Sequence, residues 1–199
     1  MFANLLDTFQ RGGYVMYPIL LCSIFCIAIA AERILFYRAR SAEPGFLRSL
    51  AELLQQKQYD QAHTLAEHSR GDCAGIASFY LGSHGLSEVE TRANLMMDTY
   101  EENLMFLSII ITMSPLLGLL GTIVGIIKAF KVFDLRAGQP FAITAGIGEA
   151  LIATAFGLIV AILALAFYAL LKHRANQLSR ELMHCCSLLE EADAGLAGR

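Results

Sequence analysis

The run Leu104–Ile127, LMFLSIIITMSPLLGLLGTIVGII, carries no charged residue. At 1.5 Å per residue it is long enough to cross about 30 Å of hydrocarbon as one helix. A similar run, Phe141–Leu171, follows it and is interrupted only by Glu149, and a third, Gly12–Ala31, precedes it. Glu32 and Arg33 come directly after the first run, then Arg38 and Arg40, where a cleavable signal would need a small-residue cleavage site. The expected fold is therefore an all-α integral membrane protein with three transmembrane helices, at about 12–36, 104–130 and 141–171. The N-terminus is expected outside and the C-terminus in the cytoplasm. Lys172, Arg174 and Arg180 agree with that orientation, whereas Lys128, Lys131 and Arg136 fall in the short outer loop and oppose it.

Composition narrows the function classes. Of 199 residues 56% are hydrophobic and 17% charged, and the mean hydropathy of +0.52 is too high for an ordinary soluble domain. A net charge of -3 leaves no basic surface for neutralising phosphates, which argues against nucleic acid as a partner and for the lipid bilayer. The five cysteines form neither a disulfide framework nor a metal set: Cys22 and Cys26 share a helix face, Cys185 and Cys186 are adjacent, and Cys73 stands alone. His63, His68 and His84 lack further ligands at zinc spacing. Without a Walker-type loop, HExxH or GxSxG, neither an enzyme nor a cofactor is expected.

The polar stretch of about 38–103 reads as short amphipathic helices, with apolar periodicity at Phe46, Leu47, Leu50, Leu53 and Leu54 and again at Ala62, Leu65 and Ala66. Ser87 and Glu90 have capping-box spacing, and no proline intervenes before Pro115. A single helix beginning near Ser87 and running on through the second span is expected. The third span has the same option through Leu189, with fraying from Ala192 to Arg199. Both would then extend into a cytoplasmic helical bundle, the tail being 172–199 and the whole chain, 1–199, one domain.

Within the spans the polar and small residues are sorted by face. Ser108, Thr112 and Thr122 occupy one arc of the second span, and Ser114, Gly118, Gly121 and Gly125 the arc beside it. Gly146, Ala150, Ala153, Gly157, Ala161 and Ala164 line one stripe of the third, with Glu149 and Thr154 at its margins. Small residues admit close helix approach in lipid, so these faces should meet protein, by tight packing or by lining a path. Pro115 frees a carbonyl and can bend its helix. Thr122 either serves a path or bonds its own preceding turn. Glu149 is either an intramembrane carboxylate, which demands a partner, or a residue at the headgroups.

The segments Ser114–Gly125 (SPLLGLLGTIVG) and Gly146–Gly157 (GIGEALIATAFG), with the Gly12–Pro18 run GGYVMYP, resemble the MotA/TolQ/ExbB proton-channel family, most of all its ExbB and TolQ branches. The resemblance covers nearly the whole chain. Ile162-Leu163-Ala164 departs from the family's usual Ile-Pro-Ala, which affects the bend of the third span, and Gly148 replaces the usual serine or alanine before the glutamate. The resemblance implies a pentamer whose second and third spans surround the single helices of a dimeric ExbD- or TolR-type partner, whose aspartate carries the proton. It also implies a bacterial inner-membrane location and work delivered to a TonB- or TolA-type protein. Thr122, Glu149 and Thr154 match the family's pore positions. Apart from Glu149 the three apolar runs, Gly12–Ala31, Leu104–Ile127 and Phe141–Leu171, offer no carboxylate or histidine, so a proton relay needs a carboxylate from the partner. A structural scaffold without proton conduction is the reading from another class, and a solute transporter is a poorer one because no repeat or broken half-helix is evident.

Overall fold

The computed structural model describes residues 12–82, 85–135 and 140–197. Every regular element among them is helical: α1 (Met16–Arg40), α2 (Phe46–Gln55), α3 (Tyr59–His68), α4 (Asp72–Leu81), α5 (Leu86–Glu101), α6 (Leu104–Leu135) and α7 (Pro140–Ala197). Three helices, containing α1, α6 and most of α7, are long and apolar enough to cross a membrane. The protein is an all-helical membrane protein.

Its contacts divide into two compact units. Unit 1 gathers the apolar segments, Met1–Ala31 with Leu104–Ala169, and unit 2 gathers Glu32–Asn103 with Leu170–Arg199. In unit 1, α1 starts with Pro18 in its first turn, where a missing N–H leaves no helical bond unmade. Many buried positions on α6 and α7 are small, among them Ser114, Ala129, Ala150, Ala153 and Ala164, with Leu104, Leu107 and Ile110 buried at the start of α6, while Leu116, Leu119, Ile123, Leu151 and Ile162 face outward. Such an apolar exterior is what a lipid-embedded unit presents.

Unit 2 is held by polar groups as well as a core. Phe46, Leu50 and Leu54 fill one face of α2, while Leu178, Leu182, Cys185 and Leu189 give α7 a buried stripe. Asp72, buried in the first turn of α4, accepts from the Tyr100 hydroxyl at 2.6 Å and from Arg40 at 3.1 Å. The Arg33 guanidinium, only 4% exposed, lies over the Phe36 ring and donates to the Thr99 carbonyl, and the Tyr37 hydroxyl donates to the Tyr100 carbonyl. Burial, the bond to Asp72 and its charge push the Tyr100 hydroxyl well above the usual tyrosine range.

Several expectations change. The helix before the second span begins at Leu86, with Gly85 at its cap and no side-chain cap bond, so Ser87 sits inside the first turn and its carbonyl accepts from Thr91. The expected run from this helix into the second span holds as one continuous stretch, Leu86–Lys131, with the regular α-helical pattern interrupted only at Glu102 and Asn103, where Glu102 keeps right-handed helical angles. Lys128 and Lys131 belong to α6 and not to a loop, while Arg136 and His84 lie outside the described residues. α7 continues as helix through Ala192 to Ala197, where fraying was expected. Cys73 is not isolated, because the Cys185 thiol meets its carbonyl at 3.5 Å.

Candidate functional site

The site is built by the register between α6 and α7. A Cβ at Gly157 would lie 2.6 Å from the Ser114 carbonyl oxygen, and one at Gly118 would lie 3.0 Å from the Thr154 Cα. Farther along, a Cβ at Gly121 would meet Ala153 at 2.5 Å, one at Gly125 would meet Ala150 at 2.9 Å, and one at Gly146 would meet Ala129 at 2.7 Å. The two small-residue stripes thus interlock with each other inside one chain, backbone against backbone. Pro115 lies within α6, which continues through it. Next to it, the Ser114 hydroxyl is fully buried and makes no hydrogen bond among the described residues.

This register places the candidate residues. Thr154, half-buried on α7, donates its hydroxyl across the interface to the Gly118 carbonyl at 3.0 Å. Thr122, also half-buried, donates to the Leu119 carbonyl of its own preceding turn at 2.6 Å. Thr112, exposed on the same arc as Thr122, likewise donates to its own helix, at Ile109. With their protons engaged, the oxygens of Thr122 and Thr154 keep free lone pairs. They are poised to accept a hydrogen bond from a protonated carboxyl, whereas an ionised carboxylate would require each hydroxyl to leave its present acceptor.

Glu149 has a partner that sequence reading missed. Its Oε1 lies 2.6 Å from the Lys128 ammonium, with side chains 23% and 39% exposed, respectively. The Lys128 ammonium also lies 5.1 Å from the centroid of the Tyr14 ring. Gly13, at φ 73, packs its backbone so closely on the Glu149 carboxyl that a Cβ there would overlap Oε1. Segments from all three apolar stretches therefore converge on one ion pair. Glu149 and Thr154 stand about 7.5 Å apart along α7, at different depths. Among the described residues no group of histidine, cysteine, aspartate and glutamate side chains is arranged to hold a metal.

The model of the MotA/TolQ/ExbB proton channel family matches residues 85–184. The chain is 35% identical over 188 residues to the putative biopolymer transport protein ExbB-like 1 of Synechocystis, covering 87% of this chain and 73% of that one. It is 37% identical over 89 residues to the Tol-Pal system protein TolQ of Haemophilus influenzae, covering 44% of this chain and 39% of that one. The structure of MotAB from C. jejuni superposes with a TM-score of 0.71 at 17% identity, over 93% of this chain and 78% of that chain.

Proposed function

The chain belongs to the MotA/TolQ/ExbB proton channel family, and from that premise we propose that it is the multi-span subunit of an ExbB-type motor in a bacterial inner membrane. In this reading copies of the chain, five by the family pattern, enclose the single helices of an ExbD- or TolR-type partner. Protons pass by way of that partner's aspartate, and the motion is delivered to a TonB-type protein for uptake across the outer membrane. The N-terminus lies in the periplasm and the C-terminus in the cytoplasm. One proton crossing about 100 mV releases about 2.3 kcal/mol, enough to bias a conformational step when a few act together.

The observation that carries the reading is how the chain's polar groups are already engaged. The one carboxylate inside its three apolar runs, Glu149, is occupied by Lys128, so the chain supports a path without supplying the relaying acid. Thr122 and Thr154 present acceptor oxygens, suited to the neutral form of a visiting aspartic acid. Protonation of the partner would let it engage both threonines, and ionisation would release it or oblige the hydroxyls to turn. Glu149 and Lys128 hold the end of the helix pair and shape the field there. The similarity to a TolQ protein supports a second reading, a TolQ-type subunit acting through a TolA-type protein in envelope maintenance.

The test is proton flux in vesicles containing the chain and its single-span partner, followed with a pH-sensitive dye. The double variant Thr122→Val/Thr154→Val should assemble with the partner and lose most of the flux. Full flux in an assembled double variant would refute the role given to the hydroxyls. Growth of a deletion strain on chelated iron, compared with its leakage of periplasmic proteins, separates the two branches.

A further inference from the structure

In unit 2, the end of α1 and the middle of α7 leave a cavity of about 330 Å³ between them, within the range of about 300–1,000 Å³ that holds small ligands. One part of its wall is apolar, formed by Ile34, Leu171 and Leu178, and another carries two guanidinium groups, Arg38 and Arg174, with one carboxylate, Glu181. Both helices reach the cavity as their apolar runs end. Ile34 follows the uncharged stretch that closes at Ala31, and Leu171 is the last apolar residue before Lys172. Side chains at that position along a spanning helix lie at the level of lipid headgroups. The charged groups are available: Arg38 has no salt bridge among the described residues, and Arg174 spends one N–H on Gln177 Oε1 at 3.2 Å, leaving the rest of its fork free.

We propose that this cavity binds the headgroup of a zwitterionic phospholipid bearing a phosphodiester and a primary ammonium. Arg38 and Arg174 hold the phosphate, Glu181 accepts from the ammonium, and Ile34 and Leu171 guide the first part of the acyl chains. The pattern of donors and acceptors selects this occupant. A phosphoglycerol headgroup satisfies the arginines but offers Glu181 only a neutral hydroxyl in place of a charged donor, while a choline headgroup carries a methylated ammonium with no N–H to donate. A water-soluble phosphate ester would gain nothing from the apolar wall.

The full chain, purified in mild detergent and stripped of lipid, is to be supplied with phosphatidylethanolamine, phosphatidylglycerol or phosphatidylcholine of matched chains, and retained lipid counted by native mass spectrometry. Phosphatidylethanolamine should be retained about tenfold more tightly than the other two, the worth of one charge-assisted hydrogen bond. Arg38→Gln/Arg174→Gln should lose that retention. Glu181→Gln should keep binding but no longer distinguish phosphatidylethanolamine from phosphatidylglycerol. Both arginines are exposed, so oligomer mass and helicity should be unchanged and serve as the folding control. Equal retention of all three lipids, retention that survives the double arginine substitution, or displacement by soluble phosphoethanolamine at equal concentration would each overturn the assignment. So would a lipid-free cavity whose arginine substitutions alter oligomer mass, which would make it a contact between copies.

Discussion

Replacing Gly157 with alanine tests whether the interlocked glycines set the distance between α6 and α7. The added methyl would sit 2.6 Å from the Ser114 carbonyl oxygen, 3.0 Å from the Gly118 Cα and 3.2 Å from the Gly118 nitrogen, all of them backbone atoms that cannot swing aside. Reaching an ordinary contact of 3.4 Å requires the backbones to part by about 0.8 Å locally. Overpacking of this kind costs about 1–3 kcal/mol, while alanine in place of glycine in a helix returns about 0.5–1 kcal/mol. Gly148 lies on the same helix with nothing within 4 Å of its would-be Cβ, so Gly148→Ala collects the propensity gain alone. The difference between the two variants isolates the steric cost, about 1–3 kcal/mol against Gly157→Ala. The chain has no tryptophan, so unfolding in mixed micelles of mild detergent and dodecyl sulfate should be followed by far-ultraviolet circular dichroism. Equal stability of the two alanine variants would refute the close approach.

Other consequences are open to direct measurement. Lys128→Met or Glu149→Gln should each weaken coupling by leaving a partly buried charge unpaired, and the exchange Lys128→Glu/Glu149→Lys should recover part of it; no coupling in the double-mutant cycle would show the pair to be incidental. Burial and the bond to Asp193 push the Tyr80 hydroxyl up to about 12. Its contribution to stability is complete below pH about 10, the unfolded value, and is lost as pH rises toward 12, by at most about 1.4 kcal/mol per pH unit. Tyr80→Phe should make the alkaline fall in stability shallower, and an unchanged slope would exclude that linkage. A cysteine at Ser69, in a background without native cysteines, should react with an impermeant label only after the inner membrane is opened, and labelling of intact spheroplasts would reverse the topology.

The three spans were legible because lipid imposes long uncharged runs, and the amphipathic α2 and α3 were legible because a buried stripe repeats with the helical period. The cap of α5 was misplaced by two residues because Gly85 and Ser87 both qualify as caps, and spacing does not choose between them. The small-residue faces of α6 and α7 were readable as faces that seek protein, but their partner was not: they meet each other within the chain. That pairing determines what else was hidden. Gly125 against Ala150 and Gly146 against Ala129 bring Lys128 beside Glu149, so the ion pair depends on a register between helices and cannot be seen in either helix alone. Asp72, Arg40 and Tyr100 are equally remote in sequence and equally invisible there.

The last turn of α5 leaves backbone acceptors that no later amide of that helix can reach. Two of them are taken by α1, Thr99 by the Arg33 guanidinium at 2.9 Å and Tyr100 by the Tyr37 hydroxyl at 2.7 Å. A helix whose final carbonyls are claimed by another element has lost its freedom to change length. One residue inserted anywhere in α5 would turn those carbonyls by about 100°. Arg33 would then lose its carbonyl and keep only its ion pair with Glu32, and Tyr37 would be without an acceptor. The number of residues in α5 is thus specified from outside it, by side chains more than sixty positions before the carbonyls they hold.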